Sequence, residues 1–105
     1  MCRTVGFIDF NFNNSYSLEE TIKLMRDTLI HGGPDDAGIF IDKDFPVALG
    51  HRRLSILDLS SLGHQPMEFE NLVITYNGEV YNFKEIRKEL EEEGYKFISN
   101  SDTKV

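Results

Sequence analysis

The chain has 105 residues, a net charge of −7, 40% hydrophobic and 28% charged residues. These proportions suit at most one globular domain, and the acidic balance excludes nucleic-acid or anionic-membrane partners, which require a basic face. No apolar run approaches the roughly 18 residues of a membrane span, and the N-terminus lacks a signal peptide's apolar stretch, so a soluble cytoplasmic protein is expected.

Residues 4–10 read as a β-strand, followed by an Asn-rich loop over 11–16. Ser17 and Glu20 make a capping box, and Leu18, Ile22, Met25 and Leu29 then recur on one helical face. The breakers His31-Gly32-Gly33-Pro34 end that helix. Strands are expected around 38–41, 47–56 and 72–76. Asn82 with Glu85 caps a second helix, with Phe83, Ile86 and Leu90 toward the core. Gly94 closes it, and 95–98 returns as a strand. Strands grouped between two separate helices predict an α+β fold with antiparallel sheets, covered by helices on one face. Residues 101–105 read as the capped start of another helix, so the chain is expected to be part of a larger domain.

Cys2 is the only cysteine, which excludes an internal disulfide and suits a reduced compartment. If Met1 is removed, Cys2 carries a thiol and a free α-amine on one carbon. The amine titrates near ~7.7–8.0 and a free thiol near ~8.5, so the amine can take the thiol proton near neutral pH, directly or through a water. The competing role for a lone cysteine is that of a small buried hydrophobe.

Three other segments carry candidate chemistry. Arg52 and Arg53 fall in an expected strand of an acidic chain. A guanidinium fork suits a carboxylate, and strand alternation turns the two arginines to opposite faces, so at most one meets a pocket. Equally, they could charge an edge strand against pairing. Asn77-Gly78 is a strong hairpin signal; the same turn could aim the Asn77 amide and the Gly78 N–H at one point, as an oxyanion hole requires. Ser101-Asp102 reads first as a helix cap, although its carboxylate could also hold a substrate ammonium. His31, His51 and His64 lack metal-ligand spacing and read as structural. Gly32-Gly33 lacks the following Lys and Ser/Thr of a phosphate loop.

Taken in order, Met1-Cys2, His31-Gly32-Gly33-Pro34-Asp35-Asp36, Gly50-His51-Arg52-Arg53-Leu54-Ser55-Ile56-Leu57-Asp58, Gly63-His64-Gln65-Pro66-Met67, Tyr76-Asn77-Gly78-Glu79-Val80-Tyr81-Asn82 and Ser101-Asp102-Thr103 resemble the class II glutamine amidotransferases. Within that class the set is most similar to the glutamine-hydrolysing asparagine synthetases. The resemblance runs along essentially the whole chain. It implies an N-terminal nucleophile hydrolase fold, an αββα sandwich of two antiparallel sheets between helices, of which residues 1–105 would be the N-terminal part. It further implies that Cys2 attacks the glutamine side-chain amide, with Asn77 and Gly78 holding the tetrahedral intermediate. Arg53 would bind the substrate carboxylate, and Glu79 and Asp102 its α-amino end. In such proteins a C-terminal synthetase domain, absent here, uses ATP and magnesium on aspartate; neither a cofactor nor a metal is expected in this segment. A homodimer is left open.

The chain departs from the family pattern at three positions. Arg3 stands where glycine usually follows the cysteine, Gly32 where arginine usually precedes Gly-Pro-Asp, and Lys104 where glutamate usually follows Ser-Asp-Thr. A cation at position 3 would crowd the nucleophile or favour its thiolate. Two rival readings stand beside glutaminase activity directed to asparagine synthesis. One is a non-catalytic glutamine-binding or interaction remnant; the other is an amidotransferase with a different ammonia acceptor, such as a sugar or another carboxylate.

Overall fold

A computed structural model describes residues 2–42, 44–54 and 63–97. The element order is β1 (Arg3–Ile8), α1 (Leu18–Asp27), a 3₁₀ turn (Ile30–Gly32), β2 (Asp36–Ile41), β3 (Val47–Arg53), β4 (Met67–Phe69), β5 (Leu72–Ile74) and α2 (Phe83–Glu92). The α+β class and the antiparallel pairing are as expected. One sheet has the order β1-β3-β2 and a second pairs β4 with β5. In the first, Arg3 faces Arg52 and Ile8 faces Val47, while Asp36 faces Arg53 and Ile41 faces Ala48.

Because β3 is central, its side chains serve two different surfaces. Ala48, Gly50 and Arg52 turn toward α1, whose Ile22 is fully buried. A methyl group on Gly50 would stand 3.2 Å from Arg26 Cβ and 3.3 Å from Ile22 Cγ1, so glycine lets the helix lie close to the strand. His51 and Arg53 turn the other way, beneath the segment that holds Gly63, His64 and Gln65. There, a Cβ on Gly38 would fall 2.0 Å from the Gln65 carbonyl oxygen, so this segment lies directly on β2. The central position of β3 also excludes the edge-strand role considered for its arginines.

Local chemistry sets the ends of the elements. The Ser17 hydroxyl accepts the Glu20 N–H at 3.2 Å, which forms one half of the expected capping box. α1 stops at Asp27, before the glycine pair. The Thr28 hydroxyl donates to the Met25 carbonyl at 2.7 Å, and the Leu29 and Gly32 N–H groups bond three residues back, tightening the chain into 3₁₀ geometry. α2 ends in a Schellman motif: Gly94, at φ +102°, donates to Glu91 and Tyr95 donates to Leu90.

Three expectations require correction. Asn82 precedes α2 but its side chain makes no capping hydrogen bond, and no residue of α2, Phe83, Ile86 and Leu90 included, is fully buried among the described residues. Tyr95–Phe97 forms no strand; Arg87 instead donates to the Phe97 carbonyl at 3.3 Å and lies over its ring. The hairpin turn falls at Glu70-Asn71, joining Phe69 to Leu72, and not at Asn77-Gly78. The short β4 was not expected, since three residues are too few to show alternation. β5 ends at Ile74 because Thr75 and Tyr76 turn their bonds to His51 and Gln65. The expected strand residues 55, 56 and 98, the helix start at 101–105, and Asp102 lie outside the described residues.

Candidate active site

The end of β1 brings Cys2 to the end of β3. Its Sγ lies 3.4 Å from the Leu54 N–H that donates to it and 3.7 Å from the Leu54 carbonyl oxygen. The thiol is half-buried. Leu54 follows Arg53, and the ladder that pairs Arg3 with Arg52 would set Cys2 opposite Arg53 if carried one residue further. Strand alternation then places the cysteine on the face that Arg53 shares with His51.

The two arginines separate as alternation requires. Arg52 is anchored on the α1 side: its Nε donates to the Gly33 carbonyl at 2.9 Å, and Nη1 lies 3.4 Å from Asp27 Oδ1. Arg53 is also buried, with its guanidinium against Gly63, where a Cβ would stand 2.3 Å from Nη2. Only Arg53 shares the cysteine's face.

The Gly-Pro-Asp-Asp motif builds the support for this strand end. A Cβ on Gly33 would lie 2.3 Å from the Arg52 carbonyl carbon, so only glycine fits against that peptide. Next to it, the Asp35 N–H donates to the Arg53 carbonyl at 2.9 Å, and the Asp36 carboxylate pairs with His64 Nδ1 at 2.5 Å. The sequence alone presents this motif as a helix breaker; its close backbone contact with β3 leaves no separate signal in composition or spacing.

His51 stands beside Arg53 with its Nδ1 2.8 Å from the Thr75 hydroxyl oxygen. Burial lowers its pKa to about 4; Asp36 opposes that effect, and the neighbouring His64 and Arg53 add to it. The imidazole is therefore neutral near pH 7 and serves packing, in line with its structural reading. His64 is likewise held, by Asp36, whereas His31 is exposed in the 3₁₀ turn.

Thr75 and Tyr76 fix the start of the next candidate segment. Gln65 Oε1 accepts the Tyr76 N–H at 2.7 Å, which ties this stretch to the loop on the Arg53 face. Asn77, Gly78 and Glu79 follow, all exposed. The Tyr76 ring folds back over Gly78, where a Cβ would stand 2.7 Å from the phenol oxygen. Among the described residues no hydrogen bond joins Asn77, Gly78 or Glu79 to Cys2. The structure thus brings Cys2 and Arg53 together and leaves the other three candidates on an adjoining exposed segment. No described group of three His, Cys, Asp or Glu side chains could hold a metal ion. No described helix is long and apolar enough to cross a membrane.

A family model described as a glutamine amidotransferase domain matches residues 1–105. Asparagine synthetase [glutamine-hydrolyzing] 1 of Bacillus subtilis is 44% identical over all of this chain and 17% of its own length. A putative asparagine synthetase [glutamine-hydrolyzing] 2 of Methanocaldococcus jannaschii is 39% identical over 84% of this chain and 20% of its own length. Amidase chry2 of Gibberella zeae is 38% identical over 82% of this chain and 13% of its own length. The chain therefore spans about a fifth or less of these curated relatives.

Proposed function

Because the chain belongs to the glutamine amidotransferase domain family, which it matches along its whole length, we propose that it forms part of a glutaminase site with Cys2 as nucleophile. The observation that carries this reading is the thiol held on the backbone of Leu54, the residue that directly follows Arg53. Once Met1 is removed, the Cys2 α-amine takes the thiol proton and Sγ attacks the glutamine side-chain amide carbon. A tetrahedral oxyanion forms, for which the Asn77 amide and the Gly78 N–H are the donors. One such donor is worth roughly 10²–10³ in rate. Collapse breaks the C–N bond, and ammonia leaves with the proton held by the α-amine. Water then cleaves the thioester to glutamate and restores the thiol.

Arg53 binds the substrate carboxylate through its guanidinium fork, and Glu79 and Asp102 take the α-ammonium. The two sheets described here form part of an αββα sandwich in this reading. Ammonia passes to a synthetase domain outside this chain, where ATP and magnesium serve asparagine formation from aspartate; no step above depends on them. A different acceptor is the second reading, supported by the relative that bears the name amidase.

The test is intact mass of the longest natural form of the polypeptide after exposure to an electrophilic glutamine analogue. A mass without methionine and with one adduct, lost in Cys2→Ala, is expected; Cys2→Ala should also abolish glutamine use while sparing activity with free ammonia. An unmodified mass that retains Met1 would leave the non-catalytic reading in its place.

A further inference from the structure

Two positions that depart from the family pattern touch each other. Arg3 follows the proposed nucleophile, and its Nη1 donates to the Cys2 carbonyl at 3.0 Å. Its side chain crosses directly over Gly32. A Cβ there would lie 2.6 Å from Arg3 Cγ, 2.6 Å from Nε and 2.7 Å from Cζ. Those contacts are too short for any real side chain, so a side chain at position 32 would push the exposed arginine off this path, because the glycine cannot easily move aside. It closes the 3₁₀ turn, donating its N–H to Leu29 at 3.0 Å, while the next residue is pressed against the Arg52 peptide.

The end of the strand explains why such a contact matters. The ladder of β1 and β3 runs to the Arg3–Arg52 pair and no further. Just past the end of β3, the Leu54 N–H donates to the cysteine sulfur. The Cys2 carbonyl takes the arginine donor instead. A residue at a chain terminus frays unless it is tied down, and here the carbonyl and the sulfur of Cys2 each have a tie.

We propose that Arg3 is a positioning residue for Cys2, holding its carbonyl, and that glycine at position 32 is required because arginine occupies position 3. The proposal rests on Cys2 as nucleophile and adds the residue that fixes its backbone. It also couples the two departures: the arginine at position 3 keeps this path only where position 32 carries no side chain.

The test is a double-mutant cycle in the longest natural form of the polypeptide, using Arg3→Gly, Gly32→Ala and the pair. Each variant is followed by kcat and KM for glutamine separately, and by the rate of Cys2 alkylation with iodoacetamide. Gly32→Ala should lower kcat and the alkylation rate about tenfold, with KM within about twofold. Arg3→Gly should lower kcat by about threefold with little change in melting temperature, and Arg3→Lys should recover part of that loss. The pair should return to the level of Arg3→Gly, since removing the arginine removes the clash. Effects that multiply in the pair, or a Gly32→Ala protein indistinguishable from the parent, would overturn the coupling. Alkylation requires no glutamine, so suppression seen in alkylation while no protein hydrolyses glutamine would refute the glutaminase reading and leave the positioning role standing.

Discussion

His51 is 1% exposed, and among the described residues its Nε2 has no hydrogen-bond partner. The folded imidazole takes a proton only near pH 4, against about 6.5 for the ordinary side chain. Between those values the unfolded chain binds more protons, so stability rises with pH across the window and is lost as pH falls through it. The loss is no more than about 3.5 kcal/mol, at about 1.4 kcal/mol per tenfold difference in proton affinity. Melting temperature recorded from pH 7 to pH 4 should therefore fall less steeply for His51→Gln than for the parent; equal slopes would refute this assignment. The arginines yield a second contrast. Arg53→Ala should raise KM for glutamine at least tenfold, the cost of losing a charge-assisted fork. Arg52→Ala should instead lower the melting temperature, because Arg52 anchors α1 and the Gly33 loop. An unchanged KM in Arg53→Ala would move the carboxylate role to another residue. This division between neighbours was legible in the sequence, because a strand's period of two allows no other arrangement. The role of Gly33 was not, because a close backbone approach is invisible until the partner strand is in place.

At the scale of elements, α1 was the most readable. Its cap at Ser17 and the Leu18, Ile22 and Met25 part of its expected apolar face are present, with Ile22 fully buried, whereas Leu29 falls beyond the helix end. Its end was less so, because Thr28 bonds to the Met25 carbonyl and tightens the chain before the glycines arrive. The hairpin shows how a local rule can be overridden. Asn77-Gly78 is the stronger turn signal, yet β4 and β5 join through Glu70-Asn71, with Glu70 at φ +53°. A residue with a Cβ is strained there, while Asn77-Gly78 is left to follow the anchors at Thr75 and Tyr76. Glu70→Gly should therefore raise stability by about 0.5–1 kcal/mol, read as a rise of a few degrees in melting temperature. A fall would mean that the Glu70 side chain holds the turn in some other way.

At the scale of the whole molecule, the described core is small. Ile22, Ala48 and Met67 are its only buried apolar side chains among those described, while Phe10, Phe69, Leu72 and Tyr81 are 66–90% exposed. Residues 1–105 expressed alone should thus associate through these surfaces and hydrolyse glutamine poorly; a monomeric, sharply melting and fully active preparation would refute that expectation. Ile22→Ala should cost about 2–5 kcal/mol, the range for a truncated core aliphatic, which a chain with so small a core could not absorb. The pairing of Cys2 with the end of β3 has one more consequence. Strands in a ladder keep a fixed spacing of about 4.7–4.9 Å; the proposed nucleophile directly precedes β1, and the carboxylate anchor ends the neighbouring β3. Under the proposed reading they form a gauge of fixed length for the substrate. Asparagine, one methylene shorter than glutamine, could satisfy one jaw or the other but not both, so this protein would tell the two amides apart by reach.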